Sequence, residues 1–135
     1  MSATDAFFDT NALLYVIGSD TTKAGAAEAL LLTGGTISVQ VLNEFALTAF
    51  RKHAMTWPEI RLALSRIRYV CSVEPVTERT HDLAVQLAER YGYRLYDSAL
   101  LAAALLANCT TVYSEDMQDG QVIEGSLTIR NPFAA

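Results

Sequence analysis

Short apolar or β-branched runs alternate with longer stretches of helical periodicity along this chain, and that alternation constrains the fold more than any other feature. Ala6–Asp9 is an apolar-aromatic run that ends at an acid and reads as a buried strand. Thr36–Val39, Val70–Val76, Thr110–Ser114 and Ser126–Arg130 are expected as four more. Between them, Asn11–Ile17 reads as a short helix stopped by Gly18, and Ala/Leu-rich Thr22–Leu32 as a second, ended by Gly34 and Gly35. Leu42, Phe45, Ala46 and Ala49 recur at helical spacing. Thr56 and Glu59 flank Trp57-Pro58 as a capping box that opens a helix toward Tyr69. Thr80, Leu83, Ala84, Leu87, Ala88 and Tyr91 repeat the pattern, with Gly92 as the stop. Tyr96–Ala107 is apolar on every side and is expected at the centre of the molecule.

The expectation is an α/β fold, a central mostly parallel five-stranded sheet flanked by helices. No repeat or linker interrupts it, so residues 1–135 read as one domain. In such sheets the functional crevice lies beyond the carboxyl ends of the strands. Asp9 ends the first strand and Asp116 follows the fourth, so both are expected at that edge.

Composition excludes several classes. The longest wholly apolar run, Ala99–Ala107, is nine residues, against about 20 for a membrane span. The start, MSATDAFFDT, has no basic segment of the kind that opens a signal peptide, and a cytoplasmic protein is expected. Cys71 and Cys109 lack metal-ligand spacing and read as reduced core thiols. The net charge of −5 argues against nucleic acid at first sight, but its distribution softens this. From Arg51 to Val70 there are five basic residues against one acid, and from Glu115 to Glu124 four acids and no base. An acidic pocket beside a basic rim would suit a metal-dependent enzyme acting on a polyanion.

Three isolated acids carry the chemical argument. Asp9 is the only charged residue between Ala6 and Ser19, Glu44 between Ala29 and Phe50, and Asp97 between Leu95 and Ser114. An ionised carboxylate among buried neighbours costs several kcal/mol unless a cap, a cation, protonation or a metal compensates it. Asp97 and Asp9 stand where a helix cap would. Glu44 lies mid-helix, in a segment with no evident solvent side. With Asp116, these make four separate caps the less economical account. Carboxylates with no His or Cys among them favour Mg²⁺ or Mn²⁺ over Zn²⁺, and phosphodiester hydrolysis is the chemistry that follows.

Four segments, FFDTNALLY (Phe7–Tyr15), SVQVLNEF (Ser38–Phe45), YDSALLAAA (Tyr96–Ala104) and YSEDMQDG (Tyr113–Gly120), resemble in order and spacing the signature blocks of PIN domains, most closely the VapC-type toxins of bacterial toxin–antitoxin pairs. The resemblance implies a Mg²⁺- or Mn²⁺-dependent endoribonuclease, a homodimer held in check by a cognate antitoxin. It maps the acidic quartet onto Asp9, Glu44, Asp97 and Asp116, the small hydroxyl residue onto Ser114 and the polar residue after the first Asp onto Asn11. Asp119 falls where some members carry a further acid, and Glu115 occupies a variable position. The alternatives are a PIN-fold nuclease processing RNA or DNA outside any toxin system, and a non-catalytic PIN module that only binds protein. FFDT also resembles haloacid-dehalogenase phosphatases, but those need a second Asp where this chain has Asn11.

Arg51, Lys52 and Arg94 are candidates for contact with nucleic acid. His53 and His81 lack a matching acid and read as surface or structural residues. Trp57, Tyr91, Tyr93 and Tyr96 could stack on bases, but core or dimer packing is their commoner use.

Overall fold

The computed structural model describes residues 5–133. Its strands are β1 (Ala6–Phe8), β2 (Gly35–Ser38), β3 (Cys71–Glu74), β4 (Thr111–Tyr113), β5 (Val122–Ile123) and β6 (Leu127–Arg130). Its helices are α1 (Thr10–Leu14), α2 (Thr21–Leu32), α3 (Val39–Lys52), α4 (Trp57–Val70), α5 (Glu78–Tyr91) and α6 (Leu95–Leu106), and a 3₁₀ turn at Tyr15–Ile17 extends α1. The sheet order is β3-β2-β1-β4-β6-β5, parallel throughout except for the β5–β6 pair.

Among the described residues the sheet therefore has six strands where five were expected. β5 has only two residues, too few to show any periodicity, and it exists because the chain turns back through left-handed Glu124 and Gly125 onto β6. The sequence boundary at Gly34-Gly35 also moves. Gly34 takes the left-handed turn after α2, whereas Gly35 is the first residue of β2. A Cβ on Gly35 would stand 2.5 Å from the Phe8 ring, so only glycine lets the two strands close around that aromatic.

The inner strands are buried, with Phe7, Phe8, Ile37, Val112 and Ile129 at 1 % exposure or less. That fits a parallel sheet covered on both faces. From α6, Leu101, Ala102 and Ala104 are wholly buried, whereas Leu95 and Tyr96 at its start reach the surface. Thr56 and Glu59 make the expected capping box, and left-handed Gly92 ends α5. Cys71 and Cys109 are buried, and burial pushes both thiols up to about 11. Among the described residues no helix is long and apolar enough to cross a membrane.

The order of the strands sets the place of any site. From β1 the chain builds outward to β2 and β3, then α5 and α6 carry it back to lay β4 on the other side of β1. The connections thus diverge at the β1–β4 pair, and a crevice opens beyond the carboxyl ends of those strands.

Candidate active site

Asp9 follows β1 and Ser114 follows β4, so the parallel register sets them side by side across the crevice. The Asp9 N–H donates to the Tyr113 carbonyl at 3.0 Å, and the Ser114 hydroxyl donates to Asp9 Oδ2 at 2.7 Å. Asp9 Oδ1 accepts from the Thr10 N–H at 2.6 Å, so Asp9 does cap α1. Ser114 is wholly buried, and its oxygen accepts from the Asp116 N–H at 3.2 Å. One hydroxyl therefore orients both a carboxylate and the loop bearing the next.

Asp9, Glu44, Asp97 and Asp116 all line one cleft of about 160 Å³, together with Thr10, Asn11 and Arg94. Each acid arrives on a different segment: the end of β1, the middle of α3, the first turn of α6 and the loop after β4. Each is also engaged by a neighbour. The Asn11 amide donates to Asp116, the Thr10 hydroxyl donates to Glu44 at 2.9 Å, and Arg94 stands 3.6 Å from Asp97.

Two expectations about these acids need correction. Asp97 does not cap its helix: Arg94 is the N-cap residue, without a side-chain bond, and Asp97 lies inside the first turn. A negative charge there gains from the helix dipole, but no backbone donor depends on it. Nor does Glu44 sit in a helix without a solvent side. Gln40, Glu44, Thr48 and Lys52 recur at steps of four and form a polar ridge along α3, while Val41, Phe45 and Ala49 face the core. The apolar surface residues Val39, Leu47 and Phe50 hide this amphipathicity in the sequence.

The electrostatics show mutual repulsion among these acids. Burial, partly offset by the bonds from Ser114 and Thr10 and reinforced by the charges of Asp116 and Asp97, raises the Asp9 carboxyl to about 6. Asp116 is raised by partial burial, then by Glu115 and Asp97, with Arg94 opposing. Carboxylates that repel one another in a shared cleft favour a bound cation. Among the described residues, no three or more His, Cys, Asp and Glu side chains form a group placed to hold a metal ion. That is compatible with Mg²⁺, which keeps several waters and takes one or two carboxylates from the protein. The all-oxygen donor set of Asp9, Asp97, Asp116 and Glu44 suits Mg²⁺ or Mn²⁺.

Other candidates are placed elsewhere. Asp119 lies outside the cleft wall and accepts from the Asn131 N–H at 2.9 Å. It is a loop tie, which an acidic residue in a sequence motif cannot reveal. Arg51 is exposed and lines no part of the cleft, whereas Arg94 does. Lys52 reaches an adjoining cavity. Tyr91 and Tyr93 bond to Glu124 and Gln121, Trp57 stacks on Phe50 at 4.7 Å, and exposed Tyr96 lines the cleft. His81 is exposed on α5.

Sequence reasoning missed Thr10, the bridge to Glu44, and it missed the setting of Glu115. Lys23 Nζ pairs with Glu115 at 2.6 Å and lies over the Tyr15 ring, whose hydroxyl also donates to Glu115. The pair turns one acid of the Glu115–Glu124 run away from the cleft, and Arg90 neutralises Glu124 at the other end. No local pattern links Lys23 to Glu115, so nothing in the sequence could have found the pair. A separate apolar cavity of about 170 Å³, lined by residues such as Leu13, Leu31, Phe45 and Ile67, holds no acid or nucleophile.

The fold is shared with several solved structures. A toxin–antitoxin complex from Klebsiella pneumoniae superposes with a TM-score of 0.73 at 22% identity, over 96% of this chain and 99% of that one. VapC20 of Mycobacterium tuberculosis, described as a sarcin–ricin-loop-cleaving toxin, gives 0.67 at 22% identity over 82% and 89%. VapBC2 of Rickettsia felis, bound to a promoter DNA fragment, gives 0.67 at 17% identity over 93% and 97%. No curated protein matches the chain in sequence. The PIN domain profile matches residues 6–118, from the start of β1 to just past Asp116. This chain belongs to the PIN domain family.

Proposed function

We propose that the chain is a Mg²⁺- or Mn²⁺-dependent endoribonuclease, the cytoplasmic toxin of a toxin–antitoxin pair. One observation carries the reading: four carboxylates from four separate segments line a single cleft at the β1–β4 divergence, and burial raises the most buried of them to about 6. The descriptions of the similar structures, a sarcin–ricin-loop-cleaving toxin and a toxin–antitoxin complex, support the choice of substrate and partner. Exposed Leu47, Phe50 and Trp57, near one another on α3 and the start of α4, support a homodimer.

In this reading one or two of Asp9, Asp97, Asp116 and Glu44 would ligate the metal directly and the others would reach it through its waters; when bound it would lower the pKa of a water and offset charge on the phosphate. Ser114 and Thr10 fix Asp9 and Glu44 in orientation, and Asn11 fixes Asp116. Arg94 lines the same cleft and offers a guanidinium to a phosphate oxygen. The test is cleavage of single-stranded RNA in Mg²⁺ or Mn²⁺ against excess EDTA, with Asp116→Asn alongside. Metal-dependent cutting that the variant loses supports the reading, and cutting that survives EDTA refutes it.

A further inference from the structure

The carboxylate cleft does not end at Asn11. A larger cavity of about 350 Å³ adjoins it, and Asn11, Leu14 and Thr48 belong to the walls of both. The two form one groove whose chemistry changes along its length. The acids and Arg94 lie in the first part, and Lys52 and His53 line the second. The α3 ridge connects them, running from Gln40 past Glu44 and Thr48 to Lys52. Eight residues separate Glu44 from Lys52, or about 12 Å along the helix axis, a span of a few nucleotides.

We propose that this second cavity seats a flanking phosphate of a single-stranded RNA, held by Lys52 and His53 while the phosphodiester to be cut lies among the carboxylates. The proposal rests on the ribonuclease reading and adds to it where the strand runs. Charge favours this placement. A polyanion entering a cleft of four acids is repelled, and the groove needs cations beside that cleft to draw the strand in. Lys23, the other lysine nearby, is already committed to Glu115. Among the described residues Lys52 enters no ion pair, since the pairs present join Lys23 to Glu115, Arg90 to Glu124 and Arg94 to Asp97. Asp20 also lines this cavity, but its carboxylate caps α2 through the Lys23 N–H at 3.1 Å. His53 is the C-cap residue of α3, attached there through its backbone N–H, which leaves its ring at the cavity.

The test compares wild type, Lys52→Ala, His53→Ala and the double variant with Arg61→Ala, an exposed α4 residue that lines neither cavity. Binding of a fluorescein-labelled ten-nucleotide oligouridylate is followed by anisotropy in EDTA over a range of salt, and KM and kcat for the same oligonucleotide are measured in Mn²⁺. Lys52 and His53 are exposed, so unchanged melting temperatures are expected for their variants. The double variant should bind about fivefold or more weakly. Its salt slope should be shallower by about 0.7 for each phosphate it no longer neutralises. KM should rise more than kcat falls, and Arg61→Ala should match wild type. If wild type cuts RNA and the double variant binds and cuts equally well, the inference is overturned while the ribonuclease reading stands. If the double variant binds no more weakly than Arg61→Ala, the attraction is diffuse charge and the seat is overturned. If wild type neither binds nor cuts RNA in Mn²⁺, the ribonuclease reading falls and takes this inference with it.

Discussion

Replacing Asp9 with Asn removes the most costly charge of the cleft and keeps the shape of the side chain. The carboxyl is raised from 3.8 to about 6. At about 1.4 kcal/mol per pH unit, its ionisation costs the native state about 3 kcal/mol at neutral pH. Asn returns part of that gain. Its amide oxygen still accepts from Thr10, but its amide nitrogen faces Ser114, whose proton then loses an acceptor worth about 1 kcal/mol. The net expectation is a metal-free variant about 2 kcal/mol more stable than wild type, or about 6 °C in melting temperature for a chain this size. The sign with pH follows from proton counts. Between 3.8 and about 6 the unfolded chain has released this proton while the native state still holds it, so wild-type stability from this group falls as pH rises through that window. The gap between variant and wild type should therefore open from pH 4 to 6 and stay constant above. Thermal melts in EDTA at pH 4.5 and 7.5 measure it directly. A variant that melts at or below wild type at pH 7.5, or a gap of the same size at both pH values, would refute the reasoning.

Asp97→Asn should change metal-free stability by about 0.5 kcal/mol or less, because no backbone cap is lost and the partner Arg94 is solvent-exposed. The same variant should lose most of the Mn²⁺-induced rise in melting temperature and at least about a hundredfold in RNA cleavage, and full retention of both would remove Asp97 from the site. Gly35→Ala drives a methyl against the Phe8 ring and should cost about 1–3 kcal/mol in urea unfolding; a neutral result would mean that the β1–β2 packing yields more readily than so close an approach implies. An antitoxin should place an Arg or Lys among Asp9, Asp97 and Asp116, and a structure of the complex with every basic side chain of the partner far from that cleft would contradict it. Light scattering at micromolar concentration should give a dimer mass, and a strictly monomeric mass would count against the pairing surface at Leu47, Phe50 and Trp57.

What the sequence determined is whatever repeats over a few residues. Helix periods, strand runs, the Thr56–Glu59 box and the Gly92 stop depend on local backbone preference, and each stands within a residue or two of its expected place. The lone acids were legible for a related reason, since a carboxylate without charged neighbours in an apolar stretch must be compensated by something. Tertiary structure decided what compensates it. Asp9 and Ser114 are 105 residues apart in sequence and meet only because β4 lies beside β1 rather than beyond β3. The Thr10–Glu44, Asn11–Asp116 and Lys23–Glu115 pairings have the same origin, with sequence separations of 34, 105 and 92. Side-chain periodicity records which face of an element is buried, not which element covers it. So the solvent side of α3, the tie made by Asp119 and the two-residue β5 waited on the order of the strands.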